Sequence, residues 1–236
     1  TRINPFDLPR VIDTDEADDA LRANLVTLHG LLRQMLGGSQ MTADGQMLAA
    51  GAEEGWAYLL AAQSGVLLQR LGSGHTLDSL AFAPGGQALA LGYYSGPVEF
   101  WTLDGSLTHT LEGYGYGARE VRYSVDGELF SAILAEDWRI DQARLWNTAD
   151  WSVAAAFPIG DGSFYTISGF ELAPDQQMAA ISYMDNTGSS YQDILRIVTV
   201  PGGETIANIE VPGRGYLGIA SAVFSPSGDM LAVYHS

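Results

Sequence analysis

"SLAFAPGGQALALG", residues 79–92, is two apolar runs split by Pro84, Gly85 and Gly86. Runs of this length, rich in residues that suit a half-buried pleat and divided by a Pro-Gly break, read as two antiparallel strands joined by a tight turn. Outward from this stretch the same phrase returns. It is written as "MTADGQMLAAG" (41–51), "FAPGGQALALG" (82–92), "YSVDGELFSAI" (123–133), "LAPDQQMAAIS" (172–182) and "FSPSGDMLAVY" (224–234). The residues closing the turns are Gly45, Gly86, Gly127, Gln176 and Gly228, at intervals of 41, 41, 49 and 52.

A second series runs in phase with the first: "AYLLAAQSG" (57–65), "VEFWTLDG" (98–105), "ARLWNTAD" (143–150) and "LRIVTVPGG" (195–203). It aligns Leu60, Trp101, Trp146 and Val198. Two markers sharing one period identify an internal repeat. Each period divides into four short strands; in the second they are "LDSLAFA", "QALALGY", "VEFWTL" and "SLTHTLE". The breaks are made by Gly, Pro, Asp and Ser, which supply positive φ or a preset bend at little cost. Helices of useful length have no room.

A period of this size, with four strands per unit, resembles the WD40-repeat β-propeller, in which each repeat makes one four-stranded blade. The family's GH, strand, S-P-D-G turn and W-D order is visible in "LGSGHTLDSLAFAPGG" and "VEFWTL". The likeness covers about residues 24–236. Gly74-His75 is the single GH pair, and Trp101 and Trp146 are followed by Thr102 and Asn147 where the family has Asp. The family's blade-internal His, Ser/Thr, Asp and Trp network is therefore expected to be missing. The resemblance implies an all-β propeller of four-stranded antiparallel blades, about four and a half of them in this chain.

The expected organisation is an N-terminal arm over 1–23, a closing outer strand over 24–29, and blades at about 31–72, 77–112, 117–158 and 164–211. A partial blade over 217–236 follows. Two strands alone leave an edge of unpaired backbone groups. The remaining blades are expected from further C-terminal sequence or from a second chain. The start at Thr1 fits a processed chain or a boundary in a longer one, and favours an extracytoplasmic over a cytoplasmic location.

Composition narrows the chemistry. The formal charge of −17, from 28 acidic and 11 basic residues, repels phosphate backbones, so nucleic acid is not an expected partner. Every basic residue is arginine, and lysine and cysteine are both absent. That removes lysine Schiff bases, the P-loop lysine, thiolate nucleophiles, disulfides and thiolate metal sites together. No apolar run is long enough for a membrane span.

Motifs that invite chemistry fail in context. "GRGYLG" (213–218) has dinucleotide-loop spacing, but that site needs a helix next, and "IASAVFSPSG" opens a strand. His29, His75, His109 and His235 fall at different repeat phases and match no metal spacing. No G-x-S-x-G elbow, sialidase Asp-box or N-x-[ST] acceptor is present. No catalytic residue, cofactor or metal site is expected.

The loops between blades, "GYGYG" (113–117), "GDGSFYTISG" (160–169) and "GRGYLG", should gather on one face with the long hairpin loops "AEDWRIDQ" (135–142) and "YMDNTGSSYQD" (183–193). Aromatics on an exposed rim suit partner binding. Tyr114, Tyr116, Asp137, Trp138, Phe164, Tyr165, Asp185, Tyr191 and Tyr216 are the candidate partner-binding residues. The resemblance implies a non-catalytic scaffold for protein partners in a larger assembly. The competing reading is a carbohydrate- or cation-binding receptor, or a propeller hydrolase. It requires at least three of Glu136, Asp137, Asp141, Asp185 and Asp193 to converge near the axis within reach of one ligand.

Overall fold

The computed structural model describes residues 38–52, 54–112, 117–137, 140–159, 165–185, 192–211 and 219–235. All regular structure among them is β. Four sheets have four antiparallel strands each, in chain order. The first holds β1 (Ser39–Met41), β2 (Met47–Gly51), β3 (Ala57–Ala61) and β4 (Leu67–Leu71); the second β5 (Leu77–Phe82), β6 (Ala88–Tyr93), β7 (Val98–Thr102) and β8 (Leu107–Leu111). The third holds β9 (Ala118–Tyr123), β10 (Leu129–Asp137), β11 (Ile140–Asn147) and β12 (Val153–Pro158). The fourth holds β13 (Tyr165–Leu172), β14 (Met178–Asp185), β15 (Gln192–Thr199) and β16 (Thr205–Val211), and β17 (Ile219–Phe224) pairs with β18 (Leu231–His235) in a fifth. This is a propeller-like succession of blades. The closing strand expected over 24–29 and the arm over 1–23 lie outside the described residues. No helix among the described residues is long and apolar enough to cross a membrane.

The repeat read from the sequence is a repeat of register. Leu60, Trp101, Trp146 and Val198 stand opposite Leu48, Leu89, Phe130 and Ala179, each six residues after the start of its turn. The fourth strand of every complete blade also slips its register beside that residue. A similar bulge recurs near the start of β5, β9, β13 and β17. Bulges add local twist to a strand, and here they sit near one repeat position on the first strands of blades two to five, while β1 pairs with β2 without a shift.

The core consists of layers between blades. Leu59 and Leu71 meet Leu89, Leu91 and Tyr93; Val98 and Phe100 meet Phe130, Leu134 and Trp146. Ile133, Leu145 and Phe157 meet Ile167, Phe170 and Ile181, and Leu195 meets Ala222, Phe224 and Leu231. Second strands such as β6 and β14 are buried on both faces, so their side chains are apolar nearly throughout instead of alternating. Close packing extends to the backbone. A Cβ at Gly92 would stand 2.7 Å from the Ala118 carbonyl oxygen and from Val121 of the next blade, so a larger residue there would push blades two and three apart.

Turns between first and second strands pack on one another. A Cβ at Gly86 would lie 3.1 Å from Thr42, one at Gly127 3.3 Å from Pro84, and one at Gly228 3.6 Å from Pro174. These glycines hold φ of 67°, 77° and 77°, the left-handed region that disfavours a side chain. Gln176 occupies the equivalent place at φ 59°, and its amide donates across to Asp126 of the preceding blade at 2.5 Å.

Candidate interaction surface

Antiparallel order puts the hairpin loops between second and third strands, and the connections between blades, at one end of the strands. Here that loop face is uneven. β10 and β11 run 9 and 8 residues and β14 and β15 run 8 each, against 5 or 6 for the equivalent strands of the first two blades. At about 3.3 Å per residue the hairpins of blades three and four stand above their neighbours. Asp137 ends β10, and Asp185 ends β14, where it is the cross-strand partner of Tyr165 at the start of β13. These three candidates thus lie at the loop-face ends of two adjacent blades. Tyr114, Tyr116, Trp138, Phe164, Tyr191 and Tyr216 lie outside the described residues.

Two loop-face aromatics escaped the sequence reading. Tyr94 is 60% exposed just beyond β6, while Tyr93 beside it is buried; strand alternation alone separates them. Trp56, in the hairpin loop of the first blade, lies under the Arg70 guanidinium at 4.2 Å.

The acids invoked by the receptor reading stand on second and third strands. Glu136 and Asp137 are on β10, Asp141 on β11, Asp185 on β14 and Asp193 on β15; none is on the first strand of a blade. Asp193 is buried at 8% exposure. No group of three His, Cys, Asp or Glu side chains among the described residues could hold a metal ion.

The polar residues of the first strands make another pattern. Gln40 Oε1 accepts from the Phe82 backbone N–H at 2.6 Å, Ser79 Oγ from Val121 N–H at 3.1 Å, and Glu120 Oε2 from Phe170 N–H at 3.1 Å. At β5, β9 and β13 the first strand is a sheet edge with an N–H that lacks a ladder partner. A side chain of the preceding blade supplies the acceptor. Arg122 then pairs with Glu171 across the same boundary at 2.6 Å. Burial raises the pKa of Asp78, Glu120 and Glu171, an effect opposed by Arg119 at Asp78 and by Arg122 at the two glutamates.

A second polar group sits between the first two blades. The Tyr93 hydroxyl donates to Glu99 Oε2 at 2.6 Å, Trp101 Nε1–H donates to the same oxygen at 3.0 Å, and the Ser73 backbone N–H donates to the Tyr93 hydroxyl at 3.2 Å. Glu99 is 5% exposed. His75 meets the Tyr93 ring edge-on at 5.5 Å. Here the third-strand tryptophan donates to a glutamate on its own strand.

No protein-family profile and no curated protein matches the sequence. Among solved structures, the chain is similar to hydrazine synthase from Kuenenia stuttgartiensis, with a TM-score of 0.68 and 15% identity over 83% of this chain and 60% of that one. The chain spans about three-fifths of the length of the protein it matches. Fold and comparison agree on one conclusion: this is an all-β chain of repeated four-stranded blades in a propeller-like arrangement.

Proposed function

We propose that the chain is a divergent WD40-like propeller acting as a non-catalytic scaffold for protein partners in a larger assembly, with the raised ends of blades three and four as its contact face. The observation that carries this reading is the placement of the five candidate acids on second and third strands of two blades, away from the strands that would line an axial pocket. The first-strand polar groups support it: Gln40, Ser79 and Glu120 hold neighbouring blades together. The WD40 likeness rests on Trp101 and Trp146 at one register and on turns closed by Thr42 to Asp44 and Ser124 to Asp126 hydrogen bonds. Completion of the two-stranded fifth sheet by strands beyond this segment or from a second chain belongs to the same proposal.

The test is co-purification from the native source with the chain as bait, read by mass spectrometry against a variant carrying Tyr94→Ala, Asp137→Arg and Asp185→Arg. A partner recovered in stoichiometric amount with the parent chain and lost with the variant supports the reading. Recovery of the chain alone, or equal recovery by both, counts against it.

A further inference from the structure

The face opposite the loops is formed by the turns between first and second strands and between third and fourth strands. Two crevices open there, one on each side of the end of β9. The first, of about 350 Å³, lies between blades three and four and reaches the fifth sheet. Its walls are apolar, with Leu129, Leu145, Leu172 and Phe224 among them, and the Arg122–Glu171 pair stands at its side. The second, of about 760 Å³, is bordered by blades one to three and has a mixed lining, with Gln40, Glu120 and Arg122 beside Met41. Val125 lines both crevices and is 82% exposed, and Met41 is 53% exposed. Both volumes fall within the range of about 300–1,000 Å³ of sites that take small ligands or anchoring side chains.

Charge selects the occupant. The turns beside these crevices carry Asp44, Asp126, Glu128, Asp175 and Asp229, and no arginine or histidine occurs in the described turns of this face. Thr42, Ser124 and Ser227 donate to Asp44, Asp126 and Asp229 and hold those carboxyls below the usual range, so they stay charged. An apolar centre with a charged rim is the anatomy of a protein contact, and a rim of one sign attracts its complement.

We infer that the turn face docks a basic peptide segment, with a large apolar side chain entering the crevice between blades three and four beside Val125 and flanking lysines or arginines meeting the turn carboxylates. This surface is separate from the loop face and does not depend on it.

The test uses the whole chain and a fluorescein-labelled peptide bearing one tryptophan flanked by lysines, followed by fluorescence anisotropy. Two counterparts replace the lysines with glutamate or the tryptophan with serine. The parent peptide should bind about tenfold or more tighter than either counterpart. Val125→Ser and Glu128→Lys should each weaken it severalfold, and Ile206→Ser, on the exposed outer strand β16, should leave it unchanged. All four chains should give the same melting temperature within a few degrees, which shows that the variants are folded. No binding, equal binding of the peptide and its serine counterpart, or binding that ignores both Val125→Ser and Glu128→Lys would overturn the inference. Loss of loop-face partners would leave these results untouched.

Discussion

Tyr93 shows how much one hydroxyl can carry. It donates to the buried Glu99, which also receives Trp101 Nε1–H. Tyr93→Phe would remove one of the two donors to that oxygen and take the acceptor from the Ser73 N–H, and leaving a buried donor without its partner costs about 1–3 kcal/mol. Chemical denaturation should show at least that loss, and Glu99→Gln in the Tyr93→Phe background should recover part of it. Loss of less than half a kcal/mol would mean that water replaces the hydroxyl. Glu120 gives a parallel case, since Glu120→Ala strands the Phe170 N–H and Glu120→Gln keeps an acceptor. Denaturation should rank the alanine variant below the glutamine variant by about 1 kcal/mol. These roles were not legible in the sequence. A glutamate in a strand reads as solvent-facing, and a contact to a strand some 50 residues away leaves no local trace. The turn glycines were legible because positive φ is a local demand. Even the departure at Gln176 holds the expected conformation.

At the scale of elements, the strand boundaries in the second period fell within a residue of expectation because Gly, Pro and Asp mark both ends of each strand. The raised hairpins were legible as long spacings between second and third strands, although six of the nine candidate residues fall outside the described structure. What stayed hidden was how outer strands join blades. His109, on β8, stacks on Trp151 of the next blade at 4.5 Å and 6°, and its buried Nε2 has no hydrogen-bond partner. Burial lowers its pKa from the ordinary 6.5. The unfolded chain therefore takes up a proton first as pH falls, so stability present above 6.5 is lost below it. Melting temperatures across that range should fall for the parent chain and fall less for His109→Phe. Equal slopes would remove His109 from the account.

For the whole molecule, stability should reside in the layers between blades. Phe130 stands at the centre of one, 4.8 Å from Phe100 and 5.1 Å from Tyr123. Phe130→Ala should cost about 3–5 kcal/mol, as large aromatic deletions in cores do, and a loss under 1 kcal/mol would mean that the layer is not packed as described. The radial order was implied by the family resemblance that the repeat carries; the period itself says only that four short strands cannot bury both faces of a sheet without neighbours. Absence of cysteine makes that order open to direct measurement. Ser79 Oγ lies 3.1 Å from the Val121 backbone nitrogen, on first strands 42 residues apart in sequence. A Ser79→Cys, Val121→Cys chain, oxidised and digested under non-reducing conditions, should yield a linked 79–121 peptide pair in the monomer, while Ser79→Cys with Ile206→Cys should not. Linkage confined to dimers, or equal linkage in both chains, would contradict blades set side by side with their first strands in contact.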